Sequence, residues 1–98
     1  MGKIKVTAGD FLKEEFLLPL GISGYKLAKD LKVSKTLISN ILKGKTSISP
    51  DMAVRLSLYF GTTPKYWLNV QNLCDIQEAE ERIKDLNIQR CELMPVIA

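Results

Sequence analysis

A chain of 98 residues and 11.0 kDa has room for one hydrophobic core but not two, and 46% apolar with 26% charged residues is the make-up of a folded, soluble globule. No uninterrupted apolar run is longer than Phe16-Leu17-Leu18, far short of the roughly 20 residues of a membrane span, and the opening Met-Gly-Lys-Ile-Lys-Val lacks the pattern of a secretory signal, so the expected place is the cytoplasm. The net charge is +3, histidine is absent and the two cysteines, Cys74 and Cys91, stand far apart; the commonest general base, the Ser-His and Cys-His pairs and a structural zinc site are thereby removed, and no enzyme, cofactor or metal is expected.

Helix punctuation is dense along the chain. Thr7-Ala8-Gly9-Asp10 reads as a capping box that opens a first helix, which is expected to stop near Pro19-Leu20-Gly21. Ser23 starts a short second helix to about Leu31. Ser34 starts a third, which ends at Lys43-Gly44 with glycine as the stop signal. Ser49-Pro50-Asp51 and Thr63-Pro64 begin a fourth and a fifth, each with a capping hydroxyl followed by proline at the first helical position. The fourth ends at Phe60-Gly61 and the fifth reaches about Leu86. After Asn87 the helical period is lost, and Leu93-Met94-Pro95-Val96-Ile97 reads as an extended tail or a short edge strand.

Charge is unevenly placed. Residues 1–50 hold nine lysines and four acids, whereas residues 51–98 hold five basic residues and seven acids. Between Ser23 and Lys45 there are six lysines and a single acid, Asp30. A concentrated positive stretch inside a folded region points to a polyanion such as nucleic acid; a solvated lysine face is the plain alternative.

The third helix separates these two readings. At 3.6 residues per turn, Leu37, Ile38, Ile41 and Leu42 fall in one arc of about 140° and form the buried side. Lys35, Thr36, Ser39, Asn40 and Lys43 occupy the opposite arc. Ser, Thr and Asn weaken a helix, so a plain solvent face would favour longer side chains. Short hydroxyl and amide groups flanked by lysines instead suit a helix that approaches base edges in the DNA major groove. Leu27, Ala28 and Leu31 form the buried side of the preceding helix. Val33 plugs the turn and Ser34 caps the next helix, a helix-turn-helix arrangement.

Leu27-Ala28, Val33-Ser34, Ile38-Ser39 and Gly44 resemble the helix-turn-helix of the phage-repressor-like family. Three longer stretches are similar to HigA antitoxins, also called the VapI group: Gly9 to Gly21, Ile48-Ser49-Pro50-Asp51-Met52-Ala53-Val54-Arg55-Leu56, and Tyr59 to Gln71 with Thr63-Pro64-Lys65-Tyr66-Trp67-Leu68 at its centre. The resemblance spans about residues 7 to 82. It implies an all-α fold, a compact five-helix bundle of the phage-repressor-like type. Residues 1–98 form one domain, with the helix-turn-helix at about 23–44, the C-terminal helix at about 63–86 and a tail at 87–98. It also implies an antitoxin of a type II toxin–antitoxin module that dimerises, represses its own operon and neutralises a HigB-type mRNA-cleaving toxin.

Carried over by position, base contacts fall to Lys35, Thr36, Ser39, Asn40 and Lys43, and phosphate contacts to Ser23, Lys26, Lys45, Thr46 and Ser47. Capping and turn formation are equally good roles for Ser23 and Ser47. Two residues depart from the pattern. Lys32 stands in the inter-helix turn where glycine is usual, and Gly24 stands near the start of the second helix where the wider group often has glutamine for a phosphate contact.

Helices four and five each carry a second apolar face. Met52, Ala53, Leu56, Tyr59 and Phe60 make the main stripe of helix four, and Tyr66, Trp67, Val70, Leu73 and Cys74 that of helix five. Val54, Leu58, Leu68, Ile76, Ala79, Ile83 and Leu86 lie off those stripes and are expected at a dimer or partner surface. Glu78, Glu80, Glu81 and Asp85 read as a solvated face paired with Arg82 and Lys84, although they also suit a basic partner. The alternative function is a protein-interaction module, or a solitary regulator, with weak or no specific DNA binding.

Overall fold

Each of the five expected helix starts is closed by its own side chain in the computed structural model, which describes residues 6–93. Thr7 Oγ1 accepts from the Asp10 N–H at 3.1 Å while Asp10 Oδ2 accepts from the Thr7 N–H at 3.0 Å, the reciprocal capping box. Ser23, Ser34, Ser49 and Thr63 accept in the same way from the backbone N–H three residues on. The resulting helices are α1 (Ala8–Leu12, with a π-helical turn Lys13–Leu17 and a last α turn Leu18–Leu20), α2 (Gly24–Leu31), α3 (Lys35–Leu42), α4 (Pro50–Phe60) and α5 (Pro64–Ile83). A 3-10 turn, Lys84–Leu86, ends α5. No strand occurs among the described residues; Leu93 is exposed, and residues 94–97 of the expected tail or edge strand lie outside them.

The sequence pattern does not mark the π-helical turn, and its place just before Pro19 gives the physical reason for it. Proline has no N–H and its ring crowds the carbonyl four residues back. Here the preceding turn is widened, so that the Leu18 N–H reaches the Lys13 carbonyl, and Pro19 is carried inside the helix rather than ending it. Gly21, at φ 66°, then stops the helix.

The core is one cluster at the meeting point of all five helices. Ala8 and Leu12 enter from α1, Leu27, Ala28 and Leu31 from α2, Ile38 and Ile41 from α3, Met52, Ala53 and Leu56 from α4, and Trp67 from α5. Phe11, Phe16, Phe60 and Tyr66 surround the fully buried Trp67, with ring centroids 4.9 to 6.3 Å from it. The Trp67 Nε1–H is satisfied by Thr62 Oγ1 at 2.7 Å. Gly9 is where α1 crosses α3. A Cβ there would lie 1.8 Å from the Ile41 carbonyl oxygen, so only glycine allows the two backbones to approach this closely.

One apolar expectation is corrected. Leu73, expected in the buried stripe of α5, is 62% exposed, because it lies at the edge of that stripe while its neighbour Cys74 still packs on the core. Cys91 is exposed, whereas Cys74 packs on the core as a small apolar group, and burial pushes its thiol pKa upward. No helix among the described residues is long and apolar enough to cross a membrane.

Candidate nucleic-acid interface

The helix-turn-helix is held together by backbone geometry and by α4 behind it. The turn between α2 and α3 is closed by the Val33 N–H on the Ala28 carbonyl at 3.0 Å and the Lys32 N–H on the Lys29 carbonyl at 3.2 Å. Lys32 takes the left-handed conformation that this closure needs, with φ 61°. The usual turn is therefore formed with lysine in place of glycine, and the strain falls on Lys32. The last carbonyls of α2 meet Arg55 of α4: its Nη1 donates to Leu31 O at 2.6 Å and to Lys32 O at 3.4 Å, and Asp51 Oδ1 accepts from its Nε at 2.6 Å. Tyr59, one turn further along α4, donates its O–H to Asp30 Oδ2 at 2.5 Å.

Sequence reasoning placed Tyr59 only in the core stripe and gave Arg55 no role. The spacing of Asp51 and Arg55 by four residues was a readable signal for an ion pair on α4. Nothing in the sequence showed that the free edge of that guanidinium would close a different helix.

The anchored α3 turns Ile38 and Ile41 into the core, with Leu37 and Leu42 half-buried beside them. On its other edge Lys35, Thr36 and Lys43 are exposed, and Ser39 and Asn40 are half-buried. These five expected base-contact residues share one side of one helix. The helix is continued by Gly44, at φ 76°, into a loop whose Lys45 and Thr46 N–H groups both donate to the Asn40 carbonyl. Lys45, Thr46 and Ser47 are exposed there. The loop is fixed at its far end by the Ile48 N–H on Gln71 Oε1 of α5 at 2.8 Å.

The remaining two expected phosphate contacts are otherwise engaged. Ser23 Oγ accepts the Lys26 N–H, so its acceptor works as a helix cap. Lys26 Nζ lies 2.9 Å from Asp30 Oδ2. Asp30 has its carboxyl pKa lowered, first by the Tyr59 hydroxyl and then by Lys26, while the Tyr59 and Lys26 values are raised by the same carboxylate.

Two concavities adjoin α3. A shallow cleft of about 440 Å³ runs between α3 and the first turn of α2 and includes Lys13, Gly24, Tyr25, Lys35, Ser39 and Lys43 in its walls. A larger groove of about 930 Å³ separates the loop at Thr46 and Ser47 from α5, where Asp75, Glu78 and Glu81 face it. The expected pairing on α5 forms, with Lys84 2.8 Å from Glu81 and Arg82 4.0 Å from Glu78. On the outer surface Val54, Leu58, Ile76, Ile83 and Leu86 are exposed and Ala79 is half-buried. Leu68 is different from the other six. It packs against the core, so its apolar surface serves the monomer.

A helix-turn-helix family profile matches residues 12–67, more than half of the chain. The chain is 41% identical over 83 residues to virulence-associated protein I of Dichelobacter nodosus, covering 85% of this chain and 77% of that protein. It is 35% identical to antitoxin HigA-1 of Vibrio cholerae, covering 82% of this chain and 75% of that one. The chain belongs to the HigA/VapI family of helix-turn-helix proteins. Its fold agrees with the solved structure of Pseudomonas aeruginosa antitoxin HigA with the higBA promoter, at a TM-score of 0.83 and 33% identity, over 93% of this chain and all of that one. This HigA-family chain is accordingly a DNA-binding regulator of the antitoxin type and not an enzyme.

Proposed function

We propose that this HigA-family protein binds operator DNA as a dimer, represses its own operon in the cytoplasm and neutralises a HigB-type mRNA-cleaving toxin. The observation that carries the DNA part is the open edge of α3: Lys35, Thr36, Ser39, Asn40 and Lys43 line one side of a helix whose opposite side is locked in the core. Asn40 has the amide that pairs bidentately with adenine, and Ser39 and Thr36 read either donor or acceptor edges. Lys45, Thr46 and Ser47 extend this surface toward phosphates, with Lys26 and Ser23 at its other side. The exposed apolar residues of α4 and α5 support a two-fold contact, which would place two copies of α3 about one helical turn of DNA apart. The promoter-bound P. aeruginosa antitoxin supports the same reading through its shared fold. The acidic groove along α5 suits a basic toxin, as expected of a protein that handles RNA.

Gel shifts on the DNA immediately upstream of the gene, beside a random duplex, test this. Asn40→Ala should lose affinity for the operator by about 1–3 kcal/mol and leave random DNA unchanged. Lys45→Ala should weaken both duplexes alike and lower the salt dependence by about one unit of slope. Equal losses on both duplexes for Asn40→Ala would remove that residue from base readout. Co-purification with the product of a neighbouring gene, and rescue of growth when both are expressed, tests the toxin part.

A further inference from the structure

The cleft between α2 and α3 is lined by cationic, hydroxyl and apolar groups. Three lysines from three places meet around it: Lys13 from the π-helical turn, Lys35 from the first turn of α3 and Lys43 from its end. Ser39 adds a hydroxyl between them, Ile38 and Leu42 form an apolar floor, and no carboxylate is among the lining residues. Three like charges gathered around one concavity raise its potential, and an anion is the species that relieves it. Lys26 nearby is already tied to Asp30, so this cleft and not Lys26 presents the concentrated charge.

Two further residues shape the cleft. Gly24 keeps it open: a Cβ there would already touch Leu42 Cδ1 at 3.5 Å and Ile38 Cγ2 at 3.6 Å, and a longer side chain would enter the space. Tyr25, 61% exposed, offers its ring to the Lys35 ammonium, which stands 4.6 Å from the ring centroid. A lysine held over an aromatic face has lost much of its rotamer freedom before any ligand arrives.

We propose that this cleft is a socket for one backbone phosphate of duplex DNA, gripped by Lys13, Lys35 and Lys43, with Tyr25 as the positioning residue for Lys35. The proposal rests on the DNA-binding reading above and adds Lys13 and Tyr25 to it. It moves Lys35 and Lys43 from base readout to the backbone. It also accounts for Gly24: with no glutamine side chain at the head of α2, the phosphate is held from α1 and α3 instead.

The test is binding of the full chain to its upstream DNA and to a random duplex across a salt series, with circular dichroism to show that each variant is folded. Lys13→Ala should bind both duplexes about two- to fourfold more weakly at 0.1 M salt, and Lys13→Ala with Lys35→Ala and Lys43→Ala together, which empties the socket, about eightfold more weakly, with a salt slope smaller by about 0.9. Tyr25→Ala, which keeps all three charges but releases Lys35, should weaken both duplexes by about two- to threefold with little change in slope, and Tyr25→Phe, which keeps the ring, should restore wild-type behaviour. Replacing single phosphates of the operator by uncharged methylphosphonates should reveal one position whose loss costs the wild type more than it costs Lys13→Ala. If Lys13→Ala and Tyr25→Ala keep wild-type affinity and slope while Asn40→Ala loses operator preference, the socket is wrong and operator reading stands. If the wild type binds neither duplex, both readings fall. Equal loss for Tyr25→Phe and Tyr25→Ala would overturn the positioning role of the ring.

Discussion

The head of the molecule, through Val70, and the outer half of α5 follow opposite rules. In the head every helix gives at least one side chain to a shared core, whose last fully buried residue is Trp67. Beyond it α5 runs on to Ile83 with Leu73 and Ile76 more than half exposed and acids at Asp75, Glu78, Glu80 and Glu81. An isolated helix of that length is marginal in water, since helix nucleation is costly and tertiary packing normally supplies the stability. The head therefore draws its stability from its own core, while the outer half of α5 leaves apolar side chains uncovered in the monomer, the surface that the proposed dimer would use.

The strongest way to break this contrast is to attack the head at Trp67. Trp67→Ala removes the largest buried side chain and its bond to Thr62, and should cost about 3–5 kcal/mol in urea denaturation. Leu73→Ala, in the outer half, should change the monomer by less than about 0.5 kcal/mol. Comparable losses from the two would erase the distinction.

Leu58→Asp and Ile76→Asp sharpen it from the other side. Both side chains are exposed in the monomer, so the head should keep its unfolding midpoint at low concentration. Sedimentation should nonetheless show loss of the dimer, and affinity for a two-half-site operator should fall more than tenfold. A dimer that survives both changes would place the two-fold contact elsewhere.

A smaller effect of opposite sign is expected at the turn of the helix-turn-helix. Lys32 carries a positive φ that glycine bears without strain, so Lys32→Gly should stabilise the head by about 1 kcal/mol. A thermal unfolding series would show it, and destabilisation would mean that Lys32 makes contacts worth more than its strain.

The smallest expected effect is a pH dependence, set by Asp30, Tyr59 and Lys26. Asp30 is held below its ordinary 3.8, chiefly by the Tyr59 hydroxyl, so its contribution is present above that value and is lost as the pH falls through the lower folded value. Tyr59 and Lys26 are raised above their ordinary 10.0 and 10.5, chiefly by their hydrogen bonds to Asp30. Their contributions are complete below those values and are lost as the pH rises through the folded ones. Tyr59→Phe should flatten the stability profile at the acid end, below about pH 4, and at the alkaline end, above about pH 10, with urea midpoints as the measure. An unchanged slope at both ends would show that the bond does not persist in solution.

Much of this molecule was written in local signals. Thr7, Ser23, Ser34, Ser49 and Thr63 announced five helices, because a cap bonds to a backbone N–H only three residues away. The two sides of α3 were legible from the 3.6-residue period, because burial of Ile38 and Ile41 fixes where Ser39 and Asn40 must lie. The strain at Lys32 was legible as a departure from glycine. What the sequence left undecided depends on groups far apart in the chain. Arg55 finds the end of α2 across 24 residues and Tyr59 finds Asp30 across 29, and no periodicity encodes such pairings. The cleft joins Lys13, Tyr25, Lys35 and Lys43 only because Gly9 lets α1 cross α3 at backbone contact. The exposure of Leu73 beside a core-packed Cys74 is likewise a matter of how the other four helices meet α5, which the sequence of α5 alone does not carry.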